Sequence, residues 1–201
     1  MILDGRALSR QLNKALKVRI DEMSVRPGLA VLLVGSDPAS QVYVKRKGLV
    51  AARLGMEHRQ IDLPADTTQV ALLEIIDSLN ADPAIHGILV QLPLPRGFDS
   101  KAVVQRIDPA KDVDGLTTHN AGLLLQGRPG LVPCTPKGVM RLLEHADVDL
   151  QGMSAVVVGR SILVGRPMAL LLEQANCTVT VCHSRTRNLE EIVRRSDVVV
   201  A

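Results

Sequence analysis

The chain has 201 residues, a formal net charge of +3, 46% apolar residues and 1% aromatic residues. That length holds a sizeable core, and that apolar fraction excludes a disordered chain. A single tyrosine and no tryptophan argue against stacking surfaces for nucleic acid, and the longest basic cluster, Lys45-Arg46-Lys47, is too short for a nucleic-acid tail. Residues 5–23 have helical periodicity, with Leu8, Leu12, Leu16 and Ile20 on one face. The apolar run 29–34 predicts a buried strand, ended by Gly35-Ser36-Asp37-Pro38. A helix carrying Tyr43 and Lys47 then runs to near Gly55, and a short strand spans 58–63. Thr67 or Thr68 caps the next helix, which carries Leu72, Leu73, Ile75, Ile76 and Leu79. Gly87–Leu92 predicts a buried strand with Gln91 inside it, closed by Pro93 and Pro95.

A helix at 99–107 leads to Asp108-Pro-Ala-Lys-Asp-Val-Asp-Gly115 and then to a Gly/Pro-rich loop. A helix over 136–146, with Thr135 as its cap, follows. The rhythm then restarts: strand 155–158, glycine turn 159–165, helix 167–175, strand 177–182, helix 188–195 and strand 197–201. Strands alternating with helices predict an α/β fold of two domains with largely parallel sheets. The seam is expected near 134–150, with domains at 1–135 and 136–201. The chain stops inside a strand pattern, Val198-Val-Val-Ala201, so a fragment of a longer protein is expected.

Three cysteines stand at 134, 177 and 182 with no CxxC pair, which argues against a disulfide framework or zinc site and for a reducing compartment. The five histidines show no metal-ligand spacing, so no metal is expected. No signal peptide and no membrane-length apolar stretch is visible, so a cytoplasmic protein without a membrane partner is expected.

Tyr43 and Lys47 are four positions apart and share one helix face. They project near the C-terminal edge of a sheet, where open α/β folds place ligands. A lysine tuned by burial and neighbours moves protons near neutral pH. Judged alone, the pair reads more readily as a solvated helix face. Gln91 interrupts an apolar strand, and a buried amide without partners costs about 1–3 kcal/mol. It serves either the following loop or a cleft beside Lys47. Asp112 and Asp114 flank Val113 ahead of Gly115, either as a turn or as a carboxylate that accepts paired N–H donors from a heterocycle.

Strand, glycine turn and helix cradle phosphates, because backbone N–H groups and the helix dipole favour an anion there. The turn here carries Gly159, Arg160, Ser161 and Gly165 and is not GxGxxG, so as a motif it is weak. NAD-binding folds place an acid about twenty residues beyond the glycines. This chain has Ser184, Arg185 and Arg187 there, and with Arg160 they suit a 2′-phosphate, favouring NADP over NAD. The competing reading is a basic surface loop.

Five stretches together carry a resemblance: Val34-Gly-Ser-Asp-Pro-Ala-Ser-Gln-Val-Tyr-Val-Lys-Arg-Lys47, Gly87-Ile-Leu-Val-Gln-Leu-Pro-Leu-Pro95, Pro109-Ala-Lys-Asp-Val-Asp-Gly115, Pro133-Cys-Thr-Pro-Lys-Gly138 and Val156-Val-Val-Gly-Arg-Ser-Ile-Leu-Val-Gly-Arg-Pro167. The chain closely resembles the bifunctional methylenetetrahydrofolate dehydrogenase/methenyltetrahydrofolate cyclohydrolase family, over its whole length. The resemblance implies a folate-binding catalytic domain followed by a Rossmann-like NADP-binding domain. It implies oxidation of 5,10-methylenetetrahydrofolate with NADP, then hydrolysis to 10-formyltetrahydrofolate. By resemblance Lys47 relays protons around the attacking water, Tyr43 positions the folate ring, Gln91 sets the protonation of Lys47 and Asp114 grips the pterin. Val90 and Leu92 join Tyr43, Gln91 and Asp114 as substrate-binding positions. Gly159, Arg160, Ser161, Ser184 and Arg185 are the implied NADP contacts. A homodimer in purine-supplying one-carbon metabolism is also implied. Family members extend past residue 201, so a ligand-binding or dimerisation fragment without turnover, or a monofunctional dehydrogenase or cyclohydrolase, stays open. Short-chain dehydrogenases also pair Tyr and Lys four apart, but their cofactor glycines precede the pair, whereas here they follow it.

Overall fold

The computed structural model describes residues 2–201. An apolar run is covered on both sides in the first of two compact units, Arg6–Val113. β1 (Gly28–Val34) lies between β2 (Glu57–Leu63) and β3 (Gly87–Val90), all parallel. On one face Ala30, Leu32, Val34, Ile88 and Val90 pack with Leu72, Ile76 and Leu79 of α3 (Gln69–Ala81) and Val103 of α4 (Ser100–Gln105). On the other, Val31, Leu33 and Leu89 meet Val44 of α2 (Pro38–Leu54). Strands buried on both faces read as continuous apolar runs, which is why β1 shows no alternation. α1 (Gly5–Asp21) buries Leu8 and Ile20, while Leu12 and Leu16, expected on the same buried face, are 45% and 38% exposed.

Local chemistry fixes the helix ends. Asp37 caps α2, its carboxylate accepting from Ser40 N at 2.8 Å, with Pro38 at the first helical position and Gly55 closing the helix at φ 82°. That backbone hydrogen bond holds the Asp37 carboxyl below the usual range. Thr68, not Thr67, caps α3 and accepts from Ala71 N at 3.1 Å. Lys111 Nζ donates to the carbonyls of Leu79, Asn80 and Asp82, the open end of α3. The same loop lies along β3: Ile88 N donates to Lys111 O at 2.7 Å and Ile88 pairs with Asp112. β3 is shorter than its sequence suggests. It ends at Val90, and Gln91 extends the ladder by one bond, N to Leu32 O at 2.9 Å. Pro93 has no N–H with which to continue it.

The second unit comprises the residues up to Gly5 together with Asp114–Ala201. β4 (Ser154–Val158) lies between β5 (Thr178–Cys182) and β6 (Val198–Val200), again all parallel. Ala155, Val157, Leu150 and Cys177 form its core with Met168 and Leu172 of α7 (Gly165–Gln174). α8 (Leu189–Arg194) precedes β6.

α5 (Thr118–Leu125) occupies the stretch read from sequence as a Gly/Pro-rich loop. It is two turns long with Gly122 inside, too short for periodicity to declare itself. Its stability comes from Thr117, whose hydroxyl accepts from Asn120 N, and from packing on α7, where Gln174 Nε2 donates to Leu124 O at 2.7 Å. α6 (Cys134–His145) begins earlier than expected, at Cys134 rather than beyond a Thr135 cap. Extended Pro133 (ψ 131°) leads in, and Pro136 falls in the first turn, where a missing N–H costs little. The compact units meet in sequence at Val113 and Asp114, because α5 packs with the later residues.

After β4 the chain makes a tight turn at Gly159 (φ 141°), whose N donates to Cys182 O at 2.8 Å. A Cβ added at Gly165 would lie 2.3 Å from Gly159 O. The start of α7 therefore touches the turn backbone to backbone.

Leu32, fully buried, should cost about 2–5 kcal/mol when replaced by alanine, read as a lowered urea midpoint. Gly165→Ala should cost about 1–3 kcal/mol through the clash with Gly159, whereas Gly138→Ala, inside α6 with nothing near its Cβ, should be neutral or stabilising. Equal melting temperatures for the two glycine variants would contradict the close approach.

Candidate active site

Both sheets place their first strand in the middle, with the second and third on opposite sides. The chain thus reverses its winding direction beside β1 and again beside β4. Open parallel sheets bind ligands in the crevice outside the strand C-termini at such a point.

In the first unit, the residues gathered there are Lys47 and Gln91. Lys47 Nζ donates to Gln91 Oε1 at 3.0 Å. Gln91 Nε2 donates to Leu92 O at 2.7 Å, which turns the amide oxygen toward the lysine. The backbone bond from Gln91 N to Leu32 O ties that amide to the end of the sheet. A strand-end residue and a helix residue 44 positions apart thus fix one amine. Its partner is a neutral amide, so the amine keeps further N–H groups for other acceptors.

Tyr43 lies one turn before Lys47 and is 61% exposed. With Arg46, Lys47, Val50 and Leu29 it lines a cavity of about 400 Å³. Val90 sends its side chain into the α3 core, leaving its backbone at the strand end. Leu92 is half-buried and offers its carbonyl to Gln91. Asp114 is the first residue of the second unit, half-buried in the turn before Gly115 (φ 62°). Asp112, its neighbour but one, is buried beside β3.

In the second unit the turn after β4 is built by its own polar atoms. Ser161 Oγ accepts from Val164 N at 3.1 Å and from Gly165 N at 3.4 Å. The hydroxyl thus organises the start of α7. Arg166 Nε donates to Arg160 O at 3.2 Å. Arg160, Arg166, Pro167, Leu124 and Val181 line a cavity of about 540 Å³ within this unit. The next turn follows β5, the neighbouring strand. His183 N donates to Thr186 Oγ1 at 2.8 Å and Arg185 N to His183 Nδ1 at 3.2 Å, leaving Ser184 and Arg185 exposed at the tip. Gly159, Arg160 and Ser161 after β4, with Ser184 and Arg185 after β5, therefore stand at adjacent strand ends.

Two contributors were not singled out in the sequence. Arg166 looks like an ordinary first-turn helix residue, and only its place after Gly165 hints at the turn. Asp37, which caps the helix holding Tyr43 and Lys47, was legible as a turn residue but not as part of a site.

Residues 3–114 match the catalytic domain of the tetrahydrofolate dehydrogenase/cyclohydrolase family. Residues 133–201 match its NAD(P)-binding domain. The chain is 52% identical over 203 residues to bifunctional protein FolD 2 of Geobacter sulfurreducens, covering 100% of this chain and 71% of that one. It superposes with a TM-score of 0.97 on bifunctional FolD methylenetetrahydrofolate dehydrogenase/cyclohydrolase from Campylobacter jejuni, at 43% identity, covering 100% and 73% of the two chains. The FolD of Trypanosoma brucei, solved with NADP cofactor and an inhibitor, gives a TM-score of 0.94 at 39% identity, covering 100% of this chain and 70% of that one. This chain belongs to the tetrahydrofolate dehydrogenase/cyclohydrolase family.

Proposed function

We propose that the protein oxidises 5,10-methylenetetrahydrofolate to the 5,10-methenyl compound with NADP and hydrolyses that product to 10-formyltetrahydrofolate. The observation that carries this reading is the Lys47–Gln91 hydrogen bond at a strand end, in a chain matching both parts of the family. Lys47 is the proton carrier of the hydrolysis. Water adds to the methenyl carbon, the bond from that carbon to one ring nitrogen breaks, and one proton is released. Lys47 moves protons during this sequence, and Gln91 holds its amine in place. Tyr43 positions the folate ring beside it. Asp114 accepts N–H donors from the amino-pyrimidine edge, and the strand-end stretch Val90–Leu92 supplies further contacts. These residues lie within 1–135, which we assign to folate, and residues 136–201 to the nucleotide.

The residues present fit NADP. The contact at Gly165 admits no side chain between turn and helix, so the turn after β4 is packed directly on the N-terminal end of α7, the end whose dipole favours an anion. Arg160 follows the first glycine after β4, and Arg185 follows β5, where a ribose-binding acid would otherwise be expected. Gly159 and Ser161 shape the turn, and Ser184 offers a hydroxyl. When bound, NADP supplies the hydride acceptor of the oxidation. The reading extends to a homodimer acting in the cytoplasm and feeding purine synthesis. The three free cysteines agree with a reducing compartment.

Lys47→Met keeps length and removes the proton carrier, so methenyl hydrolysis by the full-length protein should fall at least about 100-fold. Near-normal turnover would sink the role of Lys47. Arg160→Ala with Arg185→Ala should weaken NADP by at least about 100-fold, since charge-assisted hydrogen bonds are worth about 1.5–3 kcal/mol each. NAD binding should change little. Equal losses for both nucleotides, measured by titration, would contradict the 2′-phosphate assignment.

A further inference from the structure

Gly48 follows Lys47 on α2 and continues the helix's buried stripe, between Val44 and Ala51 at helical spacing. Glycine inside a helix is less favourable than alanine, so its presence calls for a packing reason. That reason is His58. A Cβ added at Gly48 would lie 2.9 Å from Cε1 and 3.2 Å from Nδ1 of the His58 ring. Non-bonded carbons settle at about 3.5–4.0 Å. The helix backbone therefore rests directly on the ring.

The far end of the ring is enclosed, although the residue as a whole is half-buried. Its Nε2 is buried and has no hydrogen-bond partner. Its backbone belongs to β2, which pairs with β1 along its whole length, Leu29 opposite His58. A methyl group at position 48 would thus lift α2 away from β2. Successive helix residues are about 100° apart, so the face carrying Lys47 is displaced together with the one carrying Gly48. The bond from Lys47 Nζ to Gln91 Oε1 reaches across β1 and depends on that seating.

We infer that Gly48 is a positioning residue for Lys47: its missing side chain seats α2 on His58 and so sets the Lys47–Gln91 distance. The inference rests on the reading of Lys47 as the proton carrier of the hydrolysis.

The test compares Gly48→Ala, His58→Ala, the double variant and Lys47→Met in the full-length enzyme, following methenyl hydrolysis and thermal melting. Small misplacements of a reacting group cost up to about 100-fold. Gly48→Ala should lower kcat about 10- to 100-fold with KM little changed. His58→Ala alone should stay close to wild type, and the double variant should return to its level, because removing the ring makes room for the methyl. A role confined to helix stability gives the opposite pattern: alanine raises the melting temperature, kcat is unchanged, and His58→Ala rescues nothing. Wild-type kcat in Gly48→Ala overturns the inference, as does a loss that His58→Ala leaves in place. Should Gly48→Ala fail to fold, the double variant decides: folded and active supports the inference, unfolded or inactive overturns it. Lys47→Met separates the two layers. If it is inactive while Gly48→Ala is normal, only the positioning role falls; if it hydrolyses normally, the lysine's role falls and the inference with it.

Discussion

β1 is the strand on which the first unit depends. Both its faces are buried, one under α3 and α4 and the other under α2. A one-residue slip would exchange the two sets of side chains between unlike partners, so its register is fixed by packing on both sides. Every element of the Lys47 site refers back to it. α2 lies on its odd-numbered side chains, β3 pairs with it up to Val90, and Gln91 bonds to Leu32 O just past that point. The 3.0 Å contact between amine and amide is therefore set by sheet register and helix seating, not by a loop. A site on such a frame loses little entropy when it engages a ligand.

The second unit solves a different problem with the same topology. An anion site needs exposed backbone N–H groups, and these need a turn that leaves no orphan elsewhere. Ser161 supplies one internal acceptor, Arg160 O takes the guanidinium of Arg166, and Gly159 N is tied to Cys182 O. The turn is held by its own side chains and the neighbouring strand. What remains to meet a ligand is the set of arginine side chains, since Gly159 N and Gly165 N are bonded within the turn.

Much of this was legible in the sequence, for identifiable reasons. The run 29–34 has no polar residue, so the buried strand was plain. Tyr43 and Lys47 share a face because their spacing is helical. The glycine turn and the absence of an acid after the next strand are local patterns. α5 was missed because two turns with an internal glycine show no period, and its cap Thr117 acts only once the helix exists. The early end of β3 was missed because Gly87–Leu92 is uniformly strand-like until Pro93. The residues alone left Gln91 between the following loop and a cleft beside Lys47, and only the resemblance paired it with Lys47, because a helix and a strand end 44 residues apart meet only when the sheet order is known. The packing of Gly48 on His58 needed the register of β2 as well.

The loop that Lys111 fastens has a consequence for how the molecule behaves in company. β3 is an outer strand of its sheet by order, and outer strands offer unpaired N–H and C=O groups to any passing chain. Here Lys111 and Asp112 occupy that edge, with Ile88 bonded to one and paired with the other. Three carbonyl bonds from the Lys111 ammonium keep the cover in place. The opposite edge belongs to β2, where Glu57, Arg59 and Gln60 are exposed and polar. One edge is capped by the chain itself and the other lined with polar and charged groups. A crowded solution therefore finds no bare apolar edge on this sheet along which a second molecule could add a strand and begin a fibre.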